Sequence, residues 1–115
     1  MERSHEKKEL LLQHILVVKF KEEITPERIE EIVKQFASLQ KVIKQIKAFY
    51  WGKDVSREHL QQGYTHVIEI HFENEDDVAE YIINPDHDYF DKHIFRPSLA
   101  DYVVVDFYPI HMKKA

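Results

Sequence analysis

Tyr64-Thr65-His66-Val67-Ile68-Glu69-Ile70-His71-Phe72-Glu73 alternates strictly. Tyr64, His66, Ile68, Ile70 and Phe72 fall on one face, and Thr65, Val67, Glu69 and His71 on the other, because successive strand side chains point to opposite sides. Upstream, His14, Leu16, Val18 and Phe20 share one face of a second strand, with Ile15, Val17, Lys19 and Lys21 opposite. Thr25-Pro26 opens a helix: Thr is a good N-cap, and Pro suits the first turn. Apolar residues at Ile29, Ile32, Val33, Phe36, Leu39, Ile43 and Ile46 recur at steps of three and four, which predicts an amphipathic helix through about Ile43. Ile46 to Trp51 reads as a strand ended by a turn at Gly52, followed by a polar loop or helical turn from Val55 to Gly63. Downstream, Asn74 caps a second helix whose stripe is Val78, Tyr81 and Ile82. Asn84-Pro85 interrupts it, since a residue before proline avoids the helical region. A further turn or two runs from Asp86 to about Phe95, Arg96-Pro97 stops it, and Tyr102 to Tyr108 forms the last strand, closed by Pro109.

The order is β-α-β-β-α-β. It predicts an α+β, ferredoxin-like protomer: a four-stranded antiparallel sheet with its helices on one face. The uncovered face is expected to carry Ile15, Val17, Phe49, Trp51, Val67, Val103, Val105 and Phe107. So apolar a face exceeds what a soluble monomer normally exposes. It predicts a homodimer in which two sheets pack face to face around a barrel-like core.

At 115 residues the chain is one domain long. Residues 1–12 read as a charged arm, 13–109 as the domain and 110–115 as a short tail. Hydrophobic residues make up 43% and the net charge is -5, which excludes a wholly disordered chain. The chain has no cysteine, which removes disulfide scaffolds, thiol nucleophiles and iron–sulfur clusters and fits a cytoplasmic protein. The longest apolar runs fall far short of the roughly 20 residues of a membrane helix. A pI near 5.9 with no basic block argues against a nucleic-acid partner. No phosphate-binding glycine loop or nucleophile elbow occurs.

Eight histidines stand at 5, 14, 59, 66, 71, 87, 93 and 111. His87 and His93 are six apart and His66 and His71 five apart, so neither pair matches the i, i+4 spacing of a helical zinc site. His14 and His66 share the helix-facing side of the sheet. They either hydrogen-bond a ligand at a pocket floor or are satisfied within the core. By alternation that pocket draws on His14, Leu16, Val18, Ile32, Val33, Phe36, His66, Ile68, Ile70, Tyr102 and Val104, a lining apolar enough for a small hydrophobic or aromatic ligand. An ordinary filled core fits the same pattern.

H-I-L-V-V-K-F-K, I-T-P-E, Y-W-G-K-D-V-S, G-Y-T-H, F-E-N, N-P-D-H and V-D-F-Y-P together resemble the stress-responsive dimeric α/β-barrel (A/B barrel) family, and its small plant members in particular, over residues 13–109. The resemblance implies a dimeric barrel and a stable stress-associated protein without obligatory catalysis. Some members of the fold class are polyketide cyclases or other lyases, and some are cofactor-independent monooxygenases; fold alone does not choose among them. The cyclase pattern implies His87, in N-P-D-H, and Tyr81, in A-E-Y-I-I, as catalytic residues of an aldol closure. No cofactor is required, although the resemblance allows a magnesium ion near the end of the first helix, on backbone carbonyls around Ala37, Gln40, Lys41 and Ile43.

An aldol closure begins with loss of a proton from a carbon between two carbonyls. A neutral histidine suits that step, and a tyrosine hydroxyl can hydrogen-bond the oxygen that gains charge. Their spacing of six is not a helical face, so the Pro85 break has to bring them together. Asp86 and Asp88 flank His87 and are expected to raise its pKa. Without the resemblance, His87 reads as a helix-end residue and Tyr81 as core.

Overall fold

The computed structural model describes residues 10–114. Residues 1–9 of the expected arm, and Ala115, lie outside the described residues. Strands β1 (Leu12–Phe20), β2 (Ala48–Lys53), β3 (His66–Phe72) and β4 (Leu99–Phe107) form one sheet in the order β2-β3-β1-β4, with every neighbouring pair antiparallel. Helices α1 (Pro26–Ser38), α2 (Glu75–Ile83) and α3 (Pro85–Phe90) complete the ferredoxin-like plan. Leu12, the last residue of the expected arm, is the buried first residue of β1.

The central strands β1 and β3 alternate buried and half-buried residues along their length. Leu12, Leu16, Val18, Ile68, Ile70 and Phe72 therefore meet Ile32 and Phe36 of α1 and Val78 and Tyr81 of α2 in one cluster. Thr25 caps α1, its hydroxyl accepting the Arg28 N–H at 3.1 Å. The helix ends at Ser38, short of the expected Ile43, and a 3₁₀ turn over Leu39–Lys41 follows. The tighter turn still buries Leu39 and Ile43, so the apolar stripe outlasts the α-helix that it seemed to define.

The expected face of β2 is corrected. Residues directly opposite in an antiparallel pair share a face. Phe49 lies opposite Ile70 and Trp51 opposite Ile68, so both point to the helix side. Phe49 packs on Phe36 with ring centroids 5.2 Å apart. Tyr50, opposite Glu69, takes the open face instead. Gly52 does not end β2: it pairs with Val67, and the strand runs on to Lys53. The open face thus carries Ile15, Val17, Tyr50, Val67, Val103, Val105 and Phe107. On this face His71 Nε2 donates to Glu69 at 2.6 Å.

In the β2–β3 loop, Gly63 has φ +85, and an added Cβ would lie 3.0 Å from the Lys19 side chain. The positive φ selects glycine there, while the flexible end of Lys19 could move aside for a Cβ.

Asn84 joins α2 to α3. Its side chain accepts the Asp86 N–H at 2.9 Å, its carbonyl accepts the Asp88 N–H at 2.8 Å, and its own N–H donates to the Tyr81 carbonyl. Asn84→Ala is expected to lower stability by about 1 kcal/mol, the usual worth of an N-cap, and the melting temperature by a few degrees. Differential scanning calorimetry checks this. The chain then passes through a π-helical turn, Asp91–Phe95, and a 3₁₀ turn, Arg96–Ser98, so β4 begins at Leu99, three residues before its expected start.

Candidate functional site

The break at Asn84-Pro85 redirects the chain so that His87 folds back on the end of α2. The rings of Tyr81 and His87 come to 4.2 Å between centroids. His14, at the start of β1, stands edge-on to Tyr81 at 5.8 Å and to Phe72 at 5.8 Å. His14, remote in sequence, therefore joins Tyr81 and His87 at one end of the helix-covered face.

The hydrogen bonds assign their protons. His87 Nδ1 lies 3.1 Å from the Ile82 carbonyl, which can only accept, so Nδ1 carries the hydrogen. In the neutral ring Nε2 is then the basic atom. His14 Nδ1 likewise donates to Asp106, at 2.5 Å. Asp106 was not expected at the site. The signal for it was an aspartate within a valine-rich strand, at the parity that faces His14.

Burial lowers the His87 pKa and outweighs the Ile82 hydrogen bond and the charges of Asp91 and Asp88, which act in the opposite direction. The expected rise is thus corrected. Asp86 is not among the groups acting on the imidazole, and desolvation disfavours its charged form. Burial, and secondarily Asp91, raise the Tyr81 pKa, so its hydroxyl stays protonated and can only be a neutral donor or acceptor. Asp91 is itself held by Arg96 at 2.8 Å. The arrangement packs a neutral imidazole ring against the ring of a protonated phenol that is itself only 1% exposed.

The other expected pocket residues divide. Leu16, Val18, Ile32, Phe36, Ile68 and Ile70 belong to one core cluster, and Val33 is buried outside it. Tyr102 and Val104 face the helix side but remain 39% and 44% exposed, because β4 is an edge strand that the helices do not reach across. His66 lies at the opposite end of the sheet from His14. It borders a separate cleft, which does not include Tyr81 or His87.

The model for the stress-responsive A/B barrel domain matches residues 12–109. The chain belongs to that family. It is 48% identical over 98 residues to the stress-response A/B barrel domain-containing protein HS1 of Arabidopsis thaliana, a match covering 85% of this chain and 89% of that protein. It is 36% identical over 100 residues to olivetolic acid cyclase of Cannabis sativa, covering 87% and 98%. Among solved structures, an Arabidopsis thaliana protein superposes with a TM-score of 0.85 at 46% identity, covering 90% of this chain and 99% of that one. A dimeric ferredoxin-like protein from Thermobifida fusca superposes with a TM-score of 0.71 at 25% identity, covering 87% and 92%.

Near the end of α1, where the resemblance allows a magnesium ion on backbone carbonyls, two of the four carbonyls also take part in local hydrogen bonds. The Ala37 carbonyl accepts the Gln40 side-chain amide at 3.0 Å and the Leu39 N–H, and the Ile43 carbonyl accepts the Ile46 N–H. Residues 37–43 include no carboxylate, whereas magnesium is normally held through one or two. Among the described residues no three His, Asp or Glu side chains gather as a metal site. Also among them, no helix is long and apolar enough to cross a membrane.

His66 and His87 both have lowered pKa values, each through burial first. The unfolded chain, with histidines near 6.5, therefore binds more protons below that pH than the folded one. Stability is expected to be full above about pH 6.5 and to fall as the pH drops through the unfolded value toward the folded ones. Melting curves between pH 8 and pH 5 measure this, and His87→Ala should flatten the decline.

Proposed function

We propose that the chain acts as a small stress-response protein, a homodimer closed through its open sheet faces. The observation that carries this reading is that face. Tyr50, Val103, Val105 and Phe107 are each about half exposed in the protomer. Together with Ile15, Val17 and Val67 they form a continuous apolar surface of the kind that association removes from water. The dimeric Thermobifida fusca neighbour and the 48% identity to HS1 support it. The cytoplasm is the proposed compartment, where a chain without cysteine forgoes no disulfide. Sedimentation equilibrium tests the reading: a mass of about twice 13.9 kDa is expected, and a monomer at micromolar concentration would refute it.

A second reading is favoured by the 4.2 Å contact of Tyr81 with His87. His87 Nε2 takes a proton from a carbon flanked by two carbonyls, and the Tyr81 hydroxyl hydrogen-bonds the enolate oxygen that results. The enolate carbon then attacks a distant carbonyl of the same substrate molecule, and the alkoxide that forms takes back the proton from His87 Nε2, which completes the aldol addition. The 36% identity to olivetolic acid cyclase supports this reading. In it, Tyr102 and Val104 border the approach of an apolar or aromatic ligand, and His14, anchored by Asp106, holds the Tyr81 edge in place.

A further inference from the structure

The cleft at the far end of the sheet has a built interior of its own. Its volume is about 360 Å³, within the range of small-molecule sites. Ile24, Pro26 and Ile29, around the start of α1, supply apolar surface opposite the Trp51 indole. Trp51 stacks almost parallel to His66, at 6.0 Å and 13°, and Phe20 meets the same imidazole edge-on at 5.2 Å. The Thr65 hydroxyl, 2.8 Å from Nδ1, fixes the ring further. Among the described residues, Nε2 of this largely buried imidazole has no hydrogen-bond partner. Lys53 lines the same cleft and acts electrostatically on His66. Glu27 and Glu30 also line it, yet no salt bridge ties Lys53 to either of them.

We propose that this cleft is a second small-molecule site, which takes a planar aromatic acid with its ring against Trp51 and its carboxylate between Lys53 and His66. An unpaired ammonium beside a fixed imidazole edge suits one anionic group, and the indole and prolyl surfaces suit a flat ring. Glu27 and Glu30 disfavour a second anion and accept from a hydroxyl at the ligand's far end. The site is independent of Tyr81 and His87. His66 and His14 pair across from β1 and β3 positions four residues apart, so about 13 Å of strand separates the two ends.

Trp51 is the chain's one tryptophan, so its indole N–H gives a single resonance. That resonance is followed while 6-hydroxy-2-naphthoate is titrated into the full chain. A saturable shift is expected. Lys53→Ala should raise the apparent Kd about three- to fivefold, the scale of a solvent-accessible ion pair. 2-Naphthol, which lacks the carboxylate, should bind more weakly by a similar factor. His87→Ala should titrate like the unaltered protein. A shift that does not saturate, or an unchanged Kd in Lys53→Ala, overturns the proposal. So does loss of the response in His87→Ala, which would place the naphthoate at the first site.

Discussion

Val105→Asp is expected to turn a dimer into a folded monomer. Val105 lies opposite Ile15 in the register, on the open face near the middle of β4. It is 50% exposed in the protomer, so a carboxylate there stays hydrated while the chain is alone. In the proposed face-to-face dimer the same carboxylate would enter a dry apolar interface. Two-fold symmetry introduces it twice, and burying an unpaired charge costs several kcal/mol per ion. Sedimentation should fall to 13.9 kDa, with the far-ultraviolet circular dichroism spectrum unchanged. Val105→Ala removes only part of the apolar contact and should weaken the dimer far less. If Val105→Asp sediments as the unaltered protein does, the interface lies elsewhere.

The second large effect concerns the chemistry. On the proposed cyclase reading, His87→Ala is expected to slow proton abstraction by about 10²- to 10⁴-fold, the usual contribution of a general base. The readout is deuterium exchange at the carbon between the carbonyls of a 3,5-dioxo acid, followed by NMR. It reports the first step whether or not ring closure follows. The cost to stability should be only about 1 kcal/mol, because the imidazole makes one hydrogen bond, to Ile82, near the surface. Tyr81→Phe keeps the ring packing on Phe72 and removes one donor, so its loss should be smaller. The acidic limb of the rate profile should lie below pH 6.5, because burial lowers the His87 pKa. Unchanged exchange in His87→Ala together with a lowered melting temperature would assign the residue to the helix junction alone.

The strands that carry one hydrophobic parity were legible in the sequence. β1 and β3 have that pattern, and their burial follows it at every residue but Phe20, the last of β1. β2 was not legible in its facing, because Phe49, Tyr50 and Trp51 are all aromatic and alternation cannot choose between them. Only the register opposite β3 decides. The start of β4 was missed because Leu99-Ala100-Asp101 does not alternate, although it pairs with β1 across a register shift. The end of α1 was misread because a 3₁₀ turn continues the same apolar stripe.

At the candidate site, His87 and Tyr81 were named from motifs, and their contact depends on the proline break. Asp106 and Asp91 were not foreseen, because their partners are remote in the chain or lie across a helix junction. Pattern also could not tell that burial would outweigh the flanking aspartates at His87. The balance of desolvation against charge depends on how the folded chain surrounds the ring.

The most direct test of the face-to-face dimer uses a chain that has no cysteine of its own. Val105→Cys places one thiol on the open face, and Val55→Cys places one in the β2–β3 loop, at a position 88% exposed in the protomer. Reaction with a thiol reagent is followed from high to low protein concentration. A buried interface predicts that Cys at position 105 is protected when concentrated and reacts rapidly once diluted, while the loop thiol reacts rapidly throughout. Equal, rapid reaction of both thiols at every concentration would contradict it.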